Sequence, residues 1–288
     1  MKWQGRRGSR NIEDRRRSGG GSGMGRGGKA GIGGIGAVLV VVIGLFLGVD
    51  TSFLLDGSSG LTTGSSSSEI TPEDEAAGQF VSVTLADTEV IWSEIFRSQV
   101  GKPYRPATLV LFKGATQSPC GGANGASGPF YCPADRKAYL DTDFFTTMSR
   151  QMGAGGDFAA AYVVAHEIAH HVQNELGILS QANRLRAQVS KRENNQISVR
   201  IELQADCYSG IWARYAQEKL GTIEPGDLQE ALNAARQIGD DTLQRNAGQR
   251  PNPHTFTHGT SEQRQRWFAR GYETAQVQSC DTFGTNQL

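Results

Sequence analysis

The run Ala165-His166-Glu167-Ile168-Ala169-His170-His171 sets two imidazoles and a carboxylate at a spacing that can do chemistry. In a helix His166 and His170 stand one above the other on one face, so two neutral ring nitrogens can take adjacent corners of a tetrahedral Zn²⁺ site. Glu167 lies about 100° further round. There it is off the metal axis and placed to take a proton from a water that the metal activates.

A second pair repeats the i, i+4 spacing in Glu202-Leu-Gln-Ala-Asp206. From that face Glu202 can supply the third metal ligand while Asp206 accepts a hydrogen bond from the far nitrogen of a ligating histidine. The choice between them rests on reach, because a ligand on a neighbouring helix must span about 8–10 Å between axes and glutamate is the longer acid. Such a pair usually marks a solvated face. Here Ala205, Cys207, Gly210, Ile211 and Trp212 surround it with small or apolar residues, which favours burial. His258 precedes Thr260 and Gln263, which fit a capping box. It could reach into a cleft and donate to an oxyanion, or stand as a plain surface histidine.

These side chains need a scaffold. Asp157 is expected to cap the metal helix, and Ala161, Ala165, Ile168, Val172 and Leu176 form an apolar stripe that faces the core. Ala159 and Val163 accompany the histidines on the other side, so the helix should be buried on both. Periodicity predicts further helices over residues 78–99, 142–151, 180–192, 197–220, 227–238 (Asp227 as cap) and 260–274. Short apolar runs at 109–112 and 137–141 read as strands. The fold class is α+β, mainly helical with a small sheet.

The four cysteines allow three pairings. Cys120 and Cys132 bracket a Gly-rich loop, and local closure favours joining them, which leaves Cys207 with Cys280. The alternative for Cys207 is a buried free thiol. No CxxC spacing occurs, which argues against cysteine-bound zinc.

The net charge of zero hides an asymmetry: residues 1–30 carry nine Lys or Arg against Glu13 and Asp14. This stretch reads as a basic, disordered tail, and the uncharged, largely apolar run that follows argues for a membrane rather than nucleic acid as its partner. Residues 31–49 as helix would reach about 28 Å, close to the hydrocarbon thickness of a bilayer. An uncleaved anchor is preferred to a cleaved signal peptide, because no small-x-small site stands out near Val49-Asp50-Thr51. The flanking charges place the N-terminus in the cytoplasm and the rest outside. Residues 50–75 form a Gly/Ser/Thr-rich linker, and 76–288 form one domain, large enough for its own core.

With HEIAHH, ELQADC and FTHGTSEQR in that order, and GPFYCP between the arm and the metal helix, the chain resembles the bacterial neutral zinc metallopeptidase family, membrane-anchored proteins of the gluzincin type. The resemblance implies a zincin-like domain, Zn²⁺ as cofactor, His166, His170 and Glu202 as ligands and Glu167 as catalytic base. A more distant similarity is to membrane-linked peptidases with an ExxxD helix and a later histidine six residues before an arginine. His258 and Arg264 have that spacing, with Gly259 where those enzymes carry proline. The expectation is a membrane-anchored zinc endopeptidase of the bacterial plasma membrane, acting on peptide or protein substrates outside the cytoplasm, with the 137–141 strand as the edge that pairs with substrate. The alternative is a catalytically silent, metal-stabilised binding or assembly module.

Overall fold

A computed structural model describes residues 1–17, 70–124 and 128–288. The anchor expected at 31–49, and the linker up to residue 69, lie outside the described residues. Among the described residues no helix is long and apolar enough to cross a membrane.

Helix α1, Pro72–Ile95, begins inside the expected linker. Thr71 and Asp74 form a reciprocal capping box, Pro72 occupies the first turn, and three consecutive acids face the positive end of the helix dipole. The helix widens into a π-type turn, Phe96–Val100, and stops at Gly101.

Strands β1 (Ile12–Asp14), β2 (Thr108–Phe112), β5 (Phe130–Cys132) and β6 (Lys137–Asp141) form one sheet in the order β1-β2-β6-β5. The first three run parallel and β5 is antiparallel to β6. The strand at 137–141 is therefore central and hydrogen-bonded on both sides, so it cannot be the edge that receives a peptide; among the described residues β5 is the edge beside the metal helix. Strands β3 (Ala115–Ser118) and β4 (Gly121–Asn124) form a separate hairpin, β4 lying inside the Gly-rich loop between Cys120 and Cys132.

The basic arm corrects the expectation of a disordered tail for residues 1–17. Ile12 pairs with Leu109 and Asp14 with Leu111. Its charges find partners: Arg6 pairs with Asp87, Arg16 with Asp14 at 2.6 Å, and Glu13 with Lys137 at 2.6 Å. Trp3 packs edge-on against Phe80. The Met1 ammonium lies 2.9 Å from Asp157 and 3.2 Å from Asp227. An Arg-rich composition cannot bury a core of its own, but here the domain supplies carboxylates and an open sheet edge.

The metal helix is α3, Asp157–Glu175, after α2, Asp143–Arg150. Asp157 does not cap it. Gly156 holds the cap position, and the carboxylate of Glu230, on the later helix α6, accepts the Phe158 N–H at 3.0 Å. Then follow α4 (Ile178–Arg186), α5 (Lys191–Tyr215), α6 (Asp227–Gln237), α7 (Asp240–Asn246) and α8 (Ser261–Thr274). Ser190 and Glu193 form a capping box that starts α5 within the span expected to end the preceding helix. At α6 the cap is Gly226 rather than Asp227, whose carboxylate instead accepts the Glu224 N–H. Thr260 and Gln263 cap α8 as their spacing predicts.

Helices α5 and α8 touch backbone to backbone. A Cβ on Gly210 would fall 2.0 Å from the Phe268 carbonyl oxygen, and one on Gly271 would fall 1.8 Å from that of Cys207. Only glycine permits this approach, which brings Arg264 to Asp206. Disulfides join Cys120 to Cys132 and Cys207 to Cys280.

Candidate metal centre

Helices α3 and α5 bring His166, His170 and Glu202 together, one possible donor atom from each lying within 4.8 Å of the others. His166 Nε2 is 3.1 Å from Glu202 Oε2, and His170 Nε2 is 3.5 Å from Glu202 Oε1. Bonds of about 2.0–2.2 Å in a tetrahedral site separate neighbouring donors by about 3.3–3.6 Å. Two imidazoles and one carboxylate are a zinc donor set, so the residues present fit that ion. All three are buried, as is Glu167 at 8 % exposure.

Asp206 lies on the Nδ1 side of the His166 ring, opposite Glu202. His166 Nδ1 approaches its Oδ1 at 3.0 Å, at an angle too oblique to count as a good hydrogen bond. The Tyr162 hydroxyl donates to Oδ1 at 2.5 Å, and Arg264 donates to Oδ1 and Oδ2 at 3.0 and 2.8 Å. These contacts occupy both oxygens on the far side of the imidazole. The structure thus separates the two acids of the ExxxD turn: Glu202 points among the imidazoles' Nε2 atoms, and Asp206 backs the first histidine.

His258 is buried just ahead of α8. Its Nδ1 lies 3.0 Å from Asp240 Oδ1, while Asp240 Oδ2 accepts the backbone N–H groups of Thr257, His258 and Gly259. It lies close enough to Glu202 to interact with that carboxylate electrostatically. Gly259 has φ +94°, a conformation closed to proline, whose ring fixes φ near −65°; the Gly at this position therefore goes with a different turn. Asp240 escaped the sequence reading. It falls between the helices predicted over 227–238 and 260–274, and nothing in the sequence there marks it.

His171 was also unassigned. Its Nε2 donates to the Arg105 carbonyl at 2.7 Å, which leaves Nδ1 to accept from the Tyr131 hydroxyl at 3.0 Å. The residue next to His170 thereby ties the metal helix to the edge strand β5.

Charge in the metal-free site is uneven. Burial opposes a charge on His166, but Asp206 and Glu202 prevail and raise its pKa to about 9. Burial takes His170 down to about 4 and Glu167 up to about 7. Glu202 is held below the ordinary carboxylate range, against the effect of burial, by His170 and His166. Burial lifts the Tyr162 phenol well above its usual value, so it remains a donor to Asp206.

The sequence profile of the family described as "putative neutral zinc metallopeptidase" matches residues 1–283, arm included. The chain belongs to this family. Among its relatives, the uncharacterized protein YpfJ of Escherichia coli K12 is 45 % identical over 287 residues, covering 99 % of each chain. The uncharacterized protein Rv2575 of Mycobacterium tuberculosis H37Rv is 43 % identical over 226 residues, covering 74 % of each. No solved structure matches the chain. The family name implies zinc, and the His166, His170 and Glu202 cluster is where this member could hold it.

Proposed function

We propose that this protein is a zinc-dependent endopeptidase in which His166, His170 and Glu202 hold the metal and Glu167 is the general base. One observation carries the reading: Glu167 sits one residue from a buried three-donor cluster, in surroundings that raise its pKa to about 7, suited to taking a proton at neutral pH. A bound Zn²⁺ supplies a Lewis acid that polarises a peptide carbonyl and acidifies a water. Glu167 accepts the proton of the attacking water and passes it to the departing amine. Asp240 accepts the Nδ1–H of His258 and so orients the ring toward the negative charge developing on the carbonyl oxygen. Arg264 and Tyr162 hold Asp206, which orients the His166 ring.

The test is zinc content together with digestion of a broad peptide library, with and without chelator. Stoichiometric zinc and chelator-sensitive cleavage are expected, and Glu167→Gln should keep the metal and lose the cleavage. A purified protein without zinc, or a variant as active as the parent, ends the reading. Near-complete burial of all four side chains favours a second reading, a metal-stabilised binding module without turnover. Zinc held by a parent that cleaves nothing in the library would select it.

The domain's location is proposed to be the outer side of the plasma membrane, with bilayer attachment through residues 31–49. Two disulfides support an oxidising compartment. The docked arm adds a constraint. A molecule with β1 in its own sheet has residues 1–17 and the domain on one side of the membrane, so a cytoplasmic N-terminus with an exported domain requires β1 to leave the sheet.

A further inference from the structure

A chain of buried amides runs from the second histidine to the C-terminal segment. His170 Nδ1 lies 2.8 Å from Gln173 Oε1. Gln173 Nε2 donates to the Ile201 carbonyl at 2.8 Å and to Gln204 Oε1 at 3.0 Å. Gln204 Nε2 donates to the Cys280 carbonyl at 2.9 Å. Gln173 is fully buried and Gln204 nearly so. The Cys280 carbonyl is itself located by the bond to Cys207, five residues beyond Glu202 on α5, and by the Thr282 hydroxyl, which donates to the Arg200 carbonyl at 2.7 Å.

The direction of this chain is not free. A backbone carbonyl only accepts, so the Cys280 carbonyl requires the NH₂ end of Gln204, which turns the Gln204 oxygen toward Gln173. Gln173 must then present its own NH₂ end, a choice the Ile201 carbonyl enforces a second time. Its oxygen is left facing His170 Nδ1, which has to be the donor. The proton is thereby fixed on Nδ1 and the Nε2 lone pair is left for the metal.

We propose that Gln173 and Gln204 are positioning residues that set the tautomer of His170 from the carbonyls of Ile201 and Cys280. The role rests on the zinc reading above, because a preset Nε2 lone pair matters only to a metal ligand. Each acts through His170: Gln173 directly, and Gln204 by holding Gln173 in its orientation.

The test uses the full chain and has two readouts, the ring-nitrogen NMR correlations of the metal-free protein and zinc affinity by competition with a chromophoric chelator. Metal-free parent should show His170 protonated at Nδ1. Gln173→Met removes the acceptor; it should release that tautomer and weaken zinc about 10 to 100-fold, the usual cost of losing such a partner. Gln173→Glu keeps an acceptor for His170 but sets carboxylate oxygens against the Ile201 carbonyl and the Gln204 oxygen. It should lower the unfolding temperature and yet retain both the Nδ1 proton and the parental zinc affinity. A merely structural role would make affinity follow stability across the two variants. Parent protein with His170 protonated at Nε2, or Gln173→Met binding zinc as tightly as the parent, overturns the proposal. A parent that binds no zinc overturns the peptidase reading instead, and the NMR readout still judges the tautomer.

Discussion

Asp240 and His258 are joined twice: Asp240 Oδ1 lies 3.0 Å from the His258 Nδ1, and its Oδ2 accepts the His258 backbone N–H at 2.7 Å. The carboxylate thus fixes both the loop and the ring it carries. For catalysis this predicts that Asp240→Asn and His258→Ala each lower kcat with zinc content unchanged. Loss of an oxyanion donor costs about 10²–10³ in kcat, and the double variant should be little worse than His258→Ala alone. Steady-state kinetics on a peptide found in the library digest decide it, and full multiplication of the two single effects would show that the residues act independently.

Glu202 and Asp206 should separate cleanly in zinc affinity. Glu202→Ala is expected to abolish tight binding. Asp206→Ala should weaken it about 10 to 100-fold and should also destabilise the fold, because Arg264 is buried and would lose its carboxylate partner. Breaking such a buried pair costs about 3–5 kcal/mol. Chelator competition and thermal unfolding on both variants check this, and the reverse order of affinities would make Asp206 the ligand.

Zinc binding should depend on pH through His166. In the metal-free site its pKa stands at about 9, raised from 6.5, whereas the ligand form is the neutral ring. Zinc must displace that proton, so apparent affinity should rise about tenfold per pH unit from neutrality and flatten above pH 9. The same raised pKa contributes stability to the metal-free fold that is complete below pH 6.5 and lost as pH rises through about 9. Calorimetry in buffers of different ionisation enthalpy should count about one proton released at pH 7. An affinity that does not change with pH would contradict the assignment.

The arm and the domain should share a compartment. All four native cysteines are in disulfides, so a cysteine introduced at exposed Arg10 or at exposed Asn286 reports its own position. With a membrane-impermeant maleimide on intact spheroplasts, both variants should label; if both stay unlabelled, the outer location is wrong. Labelling of Asn286→Cys alone would mean that β1 is not in the domain's sheet in the membrane-inserted chain.

Local periodicity in the sequence determined much of the site. The i, i+4 spacings of His166 with His170 and of Glu202 with Asp206 hold on any helix, because 3.6 residues per turn places them on one face whatever surrounds them. The Thr260 and Gln263 cap was legible for the same reason, being closed within one turn. The disulfides followed from few cysteines and one short loop. Tertiary structure decided everything that joins distant residues. It decided that Glu202 faces the imidazoles while Asp206 is taken by Arg264, that Glu230 rather than Asp157 caps the metal helix, and that Asp240 holds His258. It also decided that a basic arm becomes a strand, and that two unremarkable glutamines set the tautomer of His170. The physical reason is common to these cases. A side chain's periodicity says which face it occupies, but its partner across that face is set by how helices and strands pack, and no spacing along the chain records that.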